Sequence, residues 1–391
     1  MKTGLLLGAG FSKDFGLPLV VEVTKTFRET SKKYWSIDNA ARIRANGYSD
    51  EIAREVRSVL ERDEMHFEAI LGYFQVQQIR SRADRTSLQV YASLYSRFAE
   101  LVSEIIWDDP IKTLRSFQAV SQDYEPGLRL LVERYRPLWV FSLNYDLVVE
   151  CLAATLGVPV ESGLPDKGSL VRRHSDGRET GRLTTEVITG DKLETTGLVF
   201  PTANPVFSGG EQEAIYLIKV HGGLDIFTIH DGKDLIKIAP VGPDAPHIIG
   251  NLVILRGEVA LTTSMDPNAG FPIGEYLYKD DDGQLQFLRH SIVAGAFKFD
   301  ANYHQTLPSR LLDAFKAYIR FLSHLVIVGY GFSDAHINLV VREWIEQNKD
   351  RRITIVDPCR KKTPEFLLHV SPQVTLLTQT GREYFASIAG T

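Results

Sequence analysis

Only two cysteines occur in the 391 residues, Cys151 and Cys359. Two cannot build a four-cysteine zinc ribbon, and no C-x₂-C pair exists. Free, buried thiols in a reducing compartment are the expectation. Long apolar runs are also missing, and none approaches the roughly 18 residues of a membrane span. Residues 4–11 follow Lys2 and loosely imitate a secretion signal. That run is too short, meets Lys13 and Asp14, and lacks a cleavage context. A cytoplasmic protein without membrane association is expected. Excess charge of one sign is absent as well. The 44 Lys and Arg against 49 Asp and Glu give a net charge of −5. That removes the global reason to expect direct nucleic-acid binding, which a basic chain would supply. No P-loop G-x-x-x-x-G-K-[ST], no H-E-x-x-H and no complete G-x-G-x-x-G occurs, since Lys13 stands at the last glycine position.

What is present is an ordinary globular composition, 44% hydrophobic and 24% charged. The length suits two or three domains, or one large α/β domain carrying an insertion. Apolar runs at residues 4–7, 138–143, 215–220, 325–328 and 353–356 read as buried strands. Each ends in a small or polar turn, and most lead into a helical pattern. The recurring unit predicts a Rossmann-like, doubly wound α/β fold with a mainly parallel sheet.

Residues 29–136 differ, with few glycines and recurring helical spacing. Leu88, Tyr91, Leu94, Phe98, Leu101 and Ile105 step by three or four along one helix face. Pro110 and Pro126 read as breaks. This stretch is expected to be a helical insertion module within a single α/β domain spanning 1–391. Residues 158–210 and 225–303 are expected to be loop- and β-rich insertions, the latter decorating the main sheet.

The informative clusters stand at strand ends, where ligands bind in such folds. Gly8-Ala9-Gly10 lets backbone N–H groups approach an anion, or is only a tight turn. Asn144 can hold an amide or a water, or Asn144 and Asp146 merely cap the next helix. His221 titrates near neutrality and precedes Gly222-Gly223, which leave space for a ligand. A second glycine turn runs from Gly329 to Asp334. Asp357 can accept from ribose hydroxyls, or form an Asp-Pro turn.

In order, Gly8-Ala9-Gly10-Phe11-Ser12, Gly16-Leu17-Pro18, Ser142-Leu143-Asn144-Tyr145-Asp146, Lys219-Val220-His221-Gly222 and Gly329-Tyr330-Gly331-Phe332-Ser333-Asp334 with His336-Ile337-Asn338 span nearly the whole chain. Together with Phe67-Glu68, they resemble the sirtuin-like NAD-binding superfamily, in particular its bacterial NAD-hydrolysing defence branch. The resemblance implies that Asn144 and His221 are catalytic. It implies NAD⁺ contacts at Gly8, Ala9, Gly10, Phe11, Ser12, Ser142, Asp146, Gly329, Gly331, Phe332, Ser333 and Asp357. NAD⁺ would be the substrate, and no metal would be needed. Nicotinamide is a good leaving group, and an oxocarbenium-like transition state needs only positioning and charge stabilisation. Leu143 stands where deacetylating sirtuins carry Gln, Leu19-Val20 stands where they carry Phe-Arg, and the zinc cysteines are missing. All three departures disfavour deacylation. The implied function is an NAD⁺ glycohydrolase that depletes NAD⁺ in anti-phage defence. A non-catalytic NAD⁺ or ADP-ribose sensor is the second reading, and a deacylase or ADP-ribosyltransferase the third. The resemblance further implies a homo-oligomer regulated in trans, by a HerA-type ATPase in preference to an Argonaute-type protein.

Overall fold

The computed structural model describes residues 2–107, 109–164, 166–173, 179–188, 207–229, 234–238, 242–261, 276–279, 285–292 and 306–390. Among these, the strands are β1 (Thr3–Leu7), β2 (Leu138–Ser142), β3 (Val160–Glu161), β4 (Asp166–Arg173), β5 (Glu179–Ile188), β6 (Ile215–Lys219), β7 (Gly222–Ile229), β8 (Asp234–Lys237), β9 (Tyr276–Lys279), β10 (Leu285–Ile292), β11 (His324–Val328), β12 (Arg352–Val356) and β13 (Val374–Leu377). The helices are α1 (Ala9–Lys13), α2 (Val20–Tyr34), α3 (Ala40–Ala45), α4 (Asp50–Leu60), α5 (Phe67–Arg80), α6 (Arg85–Ile106), α7 (Pro110–Arg134), α8 (Val148–Leu156), α9 (Ala245–Leu261), α10 (Thr306–Ile319), α11 (Ala335–Glu346) and α12 (Gly381–Ala389).

Seven strands form one sheet in the order β13-β12-β11-β1-β2-β6-β3, every neighbouring pair parallel. Parallel strands buried on both faces read as continuous apolar runs, which is why they stood out in the sequence. Alternate residues serve opposite faces. Leu5, Leu7, Val140, Leu217 and Val326 join the core shared with α7, α8, α9 and α12. Leu6, Phe141, Ile218 and Ile327 join the core shared with α10 and α11. The α/β fold class, with a parallel sheet covered by helices on both faces, is borne out.

Helices α2 to α7 lie between β1 and β2, although those strands are immediate neighbours. Helices α2 to α6 contribute to a third core around Phe27, Phe74 and Phe98. Asp109 caps α7 and Pro110 occupies its first turn. Pro126, by contrast, does not break the chain but sits inside α7. A proline costs one backbone hydrogen bond and some crowding. The flanking Tyr124, Gly127 and Leu128 are buried nonetheless. A Cβ on Gly127 would stand 2.1 Å from the Phe385 carbonyl oxygen, so α12 lies directly against this stretch.

The expectation that residues 225–303 decorate the main sheet is corrected. Their described strands join those of 166–188 in a separate closed antiparallel barrel, ordered β10-β7-β8-β5-β4-β9. Closure satisfies edges that several short strands would otherwise expose. Within 158–210 and 225–303, residues 165, 174–178, 189–206, 230–233, 239–241, 262–275, 280–284 and 293–303 lie outside the described residues. Cys151 is buried, whereas Cys359 is exposed, correcting the expectation for the second thiol. Burial pushes the Cys151 thiol well above its ordinary range, with Glu150 and Asp146 adding to the effect. Among the described residues no helix is long and apolar enough to cross a membrane.

Candidate functional site

The strand register levels the sheet's carboxyl edge. Leu7 pairs with Ser142 and with Val328, Ser142 with Lys219, and Val328 with Val356. The turns after these strands therefore emerge side by side. The chain winds outward from β1 through β2 and β6 on one side and β11, β12 and β13 on the other. The β1/β11 boundary is thus the topological switch point, where open α/β sheets hold ligands.

The two glycine turns meet there, backbone to backbone. Gly8 N donates to Val328 O at 3.0 Å, and Gly10 N to Gly329 O at 2.9 Å. Gly329 adopts φ +65°, and a Cβ on it would lie 2.3 Å from Phe11 N. Gly329→Ala therefore adds a left-handed backbone cost of about 1–2 kcal/mol to a displacement of the first turn. Its denaturant midpoint should fall well below that of the parent, and an unchanged midpoint would contradict this packing.

Asn144 bridges the first turn. Its Nδ2 donates to Gly8 O at 2.9 Å and to Ser12 Oγ at 2.8 Å, and its own N–H donates to Ser142 Oγ at 3.1 Å. Asn144 thus does not cap the next helix. Asp146 stands one residue before that helix's N-cap, Leu147, and accepts from the first helical N–H, Val148 N, at 3.0 Å. Burial pushes the Asp146 carboxyl above its usual range, against hydrogen bonds from Ser12 and Val148 and the charge of Lys219.

His221 follows β6 and is buried. Its Nε2 lies 3.1 Å from Asp334 Oδ2, off the line of an ideal hydrogen bond. The expectation that Gly222-Gly223 leave space for a ligand is corrected. Gly222 opens β7, and a Cβ on Gly223 would meet Asp225 Oδ1 at 2.6 Å and Lys219 Cδ at 3.0 Å. Beneath His221 sits a charge quartet that sequence reading missed. Lys219 Nζ lies 2.8 Å from Glu150 Oε1 and 3.2 Å from Asp225 Oδ1, and donates to Asp146 O at 2.7 Å. Lys237 Nζ lies 3.8 Å from Glu150 and 3.6 Å from Asp225. Burial opposes the Asp225 charge, but Lys219 and Lys237 outweigh it and hold the carboxyl low. A lysine ending an otherwise apolar strand, Ile215–Lys219, was the available signal. A small cavity of about 10 Å³ lies beside the quartet, lined by Ser162, Leu164, Leu217, Lys219, Ile226, Lys237 and Leu311 rather than by Asn144 or His221.

The remaining predicted residues divide. Ser142 and Ser12 belong to the Asn144 network, and Ala9 lies between the glycines of the first turn. Phe11 directs its ring into the core, with Phe15, Tyr124 and Phe385 at centroid distances of 5.6, 5.5 and 6.2 Å. Gly331 and Ser333 are exposed beyond β11, and a Cβ on Gly331 would meet open space. Phe332 holds φ 62°, its ring 4.7 Å beneath Arg360. Asn338 secures that conformation by donating to Phe332 O at 2.9 Å. Asp357 is not in the Asn144 network. It accepts from Cys359 N at 2.9 Å and pairs with Arg360 at 3.3 Å.

Tyr145 and Tyr330 also stand here. Burial drives both hydroxyls well above their ordinary range, and Glu68 and Asp334 reinforce the shift at each. Glu68, from the first turn of α5, brings the inserted helices to this edge of the sheet. Among the described residues no group of three or more His, Cys, Asp or Glu side chains could hold a metal ion.

No family model matches the chain, and no curated protein matches it. Solved structures similar to it include a sirtuin from work on substrate affinity, at 11% identity over 99% of this chain and 92% of that one, TM-score 0.44. A Sir2–p53 peptide–NAD⁺ structure has 11% identity, coverage of 100% and 92%, and TM-score 0.41. A Sir2 homologue–NAD complex has 12% identity, coverage of 100% and 88%, and TM-score 0.38.

Proposed function

We propose that the chain is an NAD⁺ glycohydrolase, releasing nicotinamide and ADP-ribose and acting as an NAD⁺-depleting effector in anti-phage defence. One observation carries this reading. Motifs scattered from Gly8 to Asp334, ordered as in the NAD-hydrolysing sirtuin-like branch, converge on one edge of the sheet through the Asn144–Gly8–Ser12 and His221–Asp334 contacts.

The donor set suits the chemistry. The bond from nicotinamide nitrogen to ribose C1′ breaks, its electron pair leaves with nicotinamide, and a water oxygen bonds to C1′. His221 takes the proton from a ribose hydroxyl or from that water, and Asn144 orients it. The Gly8–Gly10 and Gly329–Ser333 turns would face the phosphates and adenosine, with Asp357 toward the adenine ribose. Asn144 and His221 are only 8% and 6% exposed, so NAD⁺ entry requires the edge to open. We assign that opening to homo-oligomerisation and to a partner in trans, a HerA-type ring ATPase in first place, with the inserted helices as its lever.

The test is chromatography of NAD⁺ incubated with the purified protein, with and without such an ATPase. Equimolar nicotinamide and ADP-ribose are expected. Intact NAD⁺ under every activating condition overturns the proposal. Tight NAD⁺ binding without product would favour the sensor, and release that depends on an acyl-peptide the deacylase.

A further inference from the structure

Lys219 ends β6 and Gly222 opens β7, so His221 sits where the chain leaves the main sheet for the barrel. The turn that carries it is stitched to the turn that carries Asn144. Val220 N donates to Ser142 O at 2.9 Å, and Leu224 N to Tyr145 O at 2.8 Å. The Lys219 ammonium adds a further tie, and it reaches both turns. Its Nζ donates to Asp146 O at 2.7 Å, just past Asn144, and to Asp225 Oδ1 at 3.2 Å, just past His221. It also pairs with Glu150 Oε1 of α8 at 2.8 Å. An ammonium has three donors, and these partners match that capacity. Gly223 makes the span possible. A Cβ there would stand 2.6 Å from Asp225 Oδ1 and 3.3 Å from Lys219 Nζ, in the path of the pair. Stability alone would be served as well by apolar residues of similar volume. An apolar side chain could not bond a carbonyl of one turn and a carboxylate of the other.

We infer that Lys219 is a positioning residue, a clasp that fixes the Asn144 turn against the His221 turn. This rests on the proposed hydrolase, in which those two side chains act together, and adds the group that sets their spacing. A misplacement of about 1 Å in such a pair costs on the order of 10²-fold in rate.

The double substitution Lys219→Met/Asp225→Asn separates the clasp from stability. It removes one cation and one anion, so Lys237 and Glu150 remain a balanced pair and no buried charge is stranded. Its denaturant midpoint should recover most of what Lys219→Met alone loses. Its nicotinamide release should still stay about 10²-fold below the parent, with KM within about threefold. Amide hydrogen exchange gives a readout independent of turnover. Val220 and Leu224 should exchange together, about 10–100-fold faster than in the parent, while β1 and β11 keep their protection. Should the double variant not fold, Gly223→Ala supplies the same comparison, since it keeps all four charges and crowds the pair. Parent-like kcat, or parent-like exchange at Val220 and Leu224, in a folded variant overturns the inference. Protection lost evenly across the sheet overturns it too, because Lys219 would then be structural only. A parent that releases no nicotinamide overturns the hydrolase reading alone, and the exchange comparison still decides the clasp.

Discussion

Asn144→Ala should release about 10²–10³-fold less nicotinamide than the parent, the loss seen when one oriented hydrogen-bonding group is removed from a reacting centre. The same change should lower the unfolding free energy. Asn144 Nδ2 makes two buried bonds, to Gly8 O and Ser12 Oγ. At roughly 0.5–1.5 kcal/mol each, their loss costs about 1–3 kcal/mol. Gly8 O still accepts from Phe11 N at 2.9 Å, so the carbonyl is not orphaned and the fold should survive. His221→Ala should be as inactive, because it removes the proposed proton acceptor at the end of β6. Full activity in Asn144→Ala would make that side chain a brace of the glycine turn and nothing more. The readouts are nicotinamide by chromatography and the denaturant midpoint, measured on the same preparations.

Lys219→Met should be the most destabilising single change at this edge of the sheet. The quartet holds two cations and two anions, with Lys219 3% and Asp225 0% exposed. Replacing the lysine strands Asp225 and Glu150 beside Lys237 alone. Breaking a buried pair by removing one partner costs about 3–5 kcal/mol. The pH dependence follows from the directions of the shifts. Asp225 is held below its unfolded value, so its contribution is present above about pH 4 and is lost as pH falls through the lower folded value. Lys219 is opposed by burial but raised by Asp225 and Glu150. Its contribution is present below about pH 10 and is lost as pH rises through the higher folded value. Parent stability should therefore be flat between these limits, and Lys219→Met should lose the acid limb in part. A midpoint within 1 kcal/mol of the parent, on the order of one hydrogen bond, would refute the quartet as a paired unit.

The sheet was legible because parallel strands buried on two faces leave uninterrupted apolar runs, as in Leu138–Ser142 and Ile215–Lys219. The turns at their ends were legible because glycine and asparagine punctuate them. The barrel was not, since its short strands come from separated stretches and pair through long-range register that no local pattern encodes. Asp334 read as part of a turn and a helix start. Its facing His221 across the sheet edge depends on β11 and β6 being placed by the fold. Pro126 misled because propensity spoke for a break, while packing against α12 held the helix together.

The order of the chain has a temporal consequence. Thr3 of β1 pairs with His324 of β11, 321 residues later. At roughly 5–20 residues per second, a ribosome needs about 15–65 s to supply that partner. Until then the nascent polypeptide holds Asn144 and His221 but lacks Gly329 and Asp334, which complete the switch point. The proposed NAD⁺ hydrolase would thus stay inactive on the ribosome until β11 has emerged, because the turn after that strand completes the switch point.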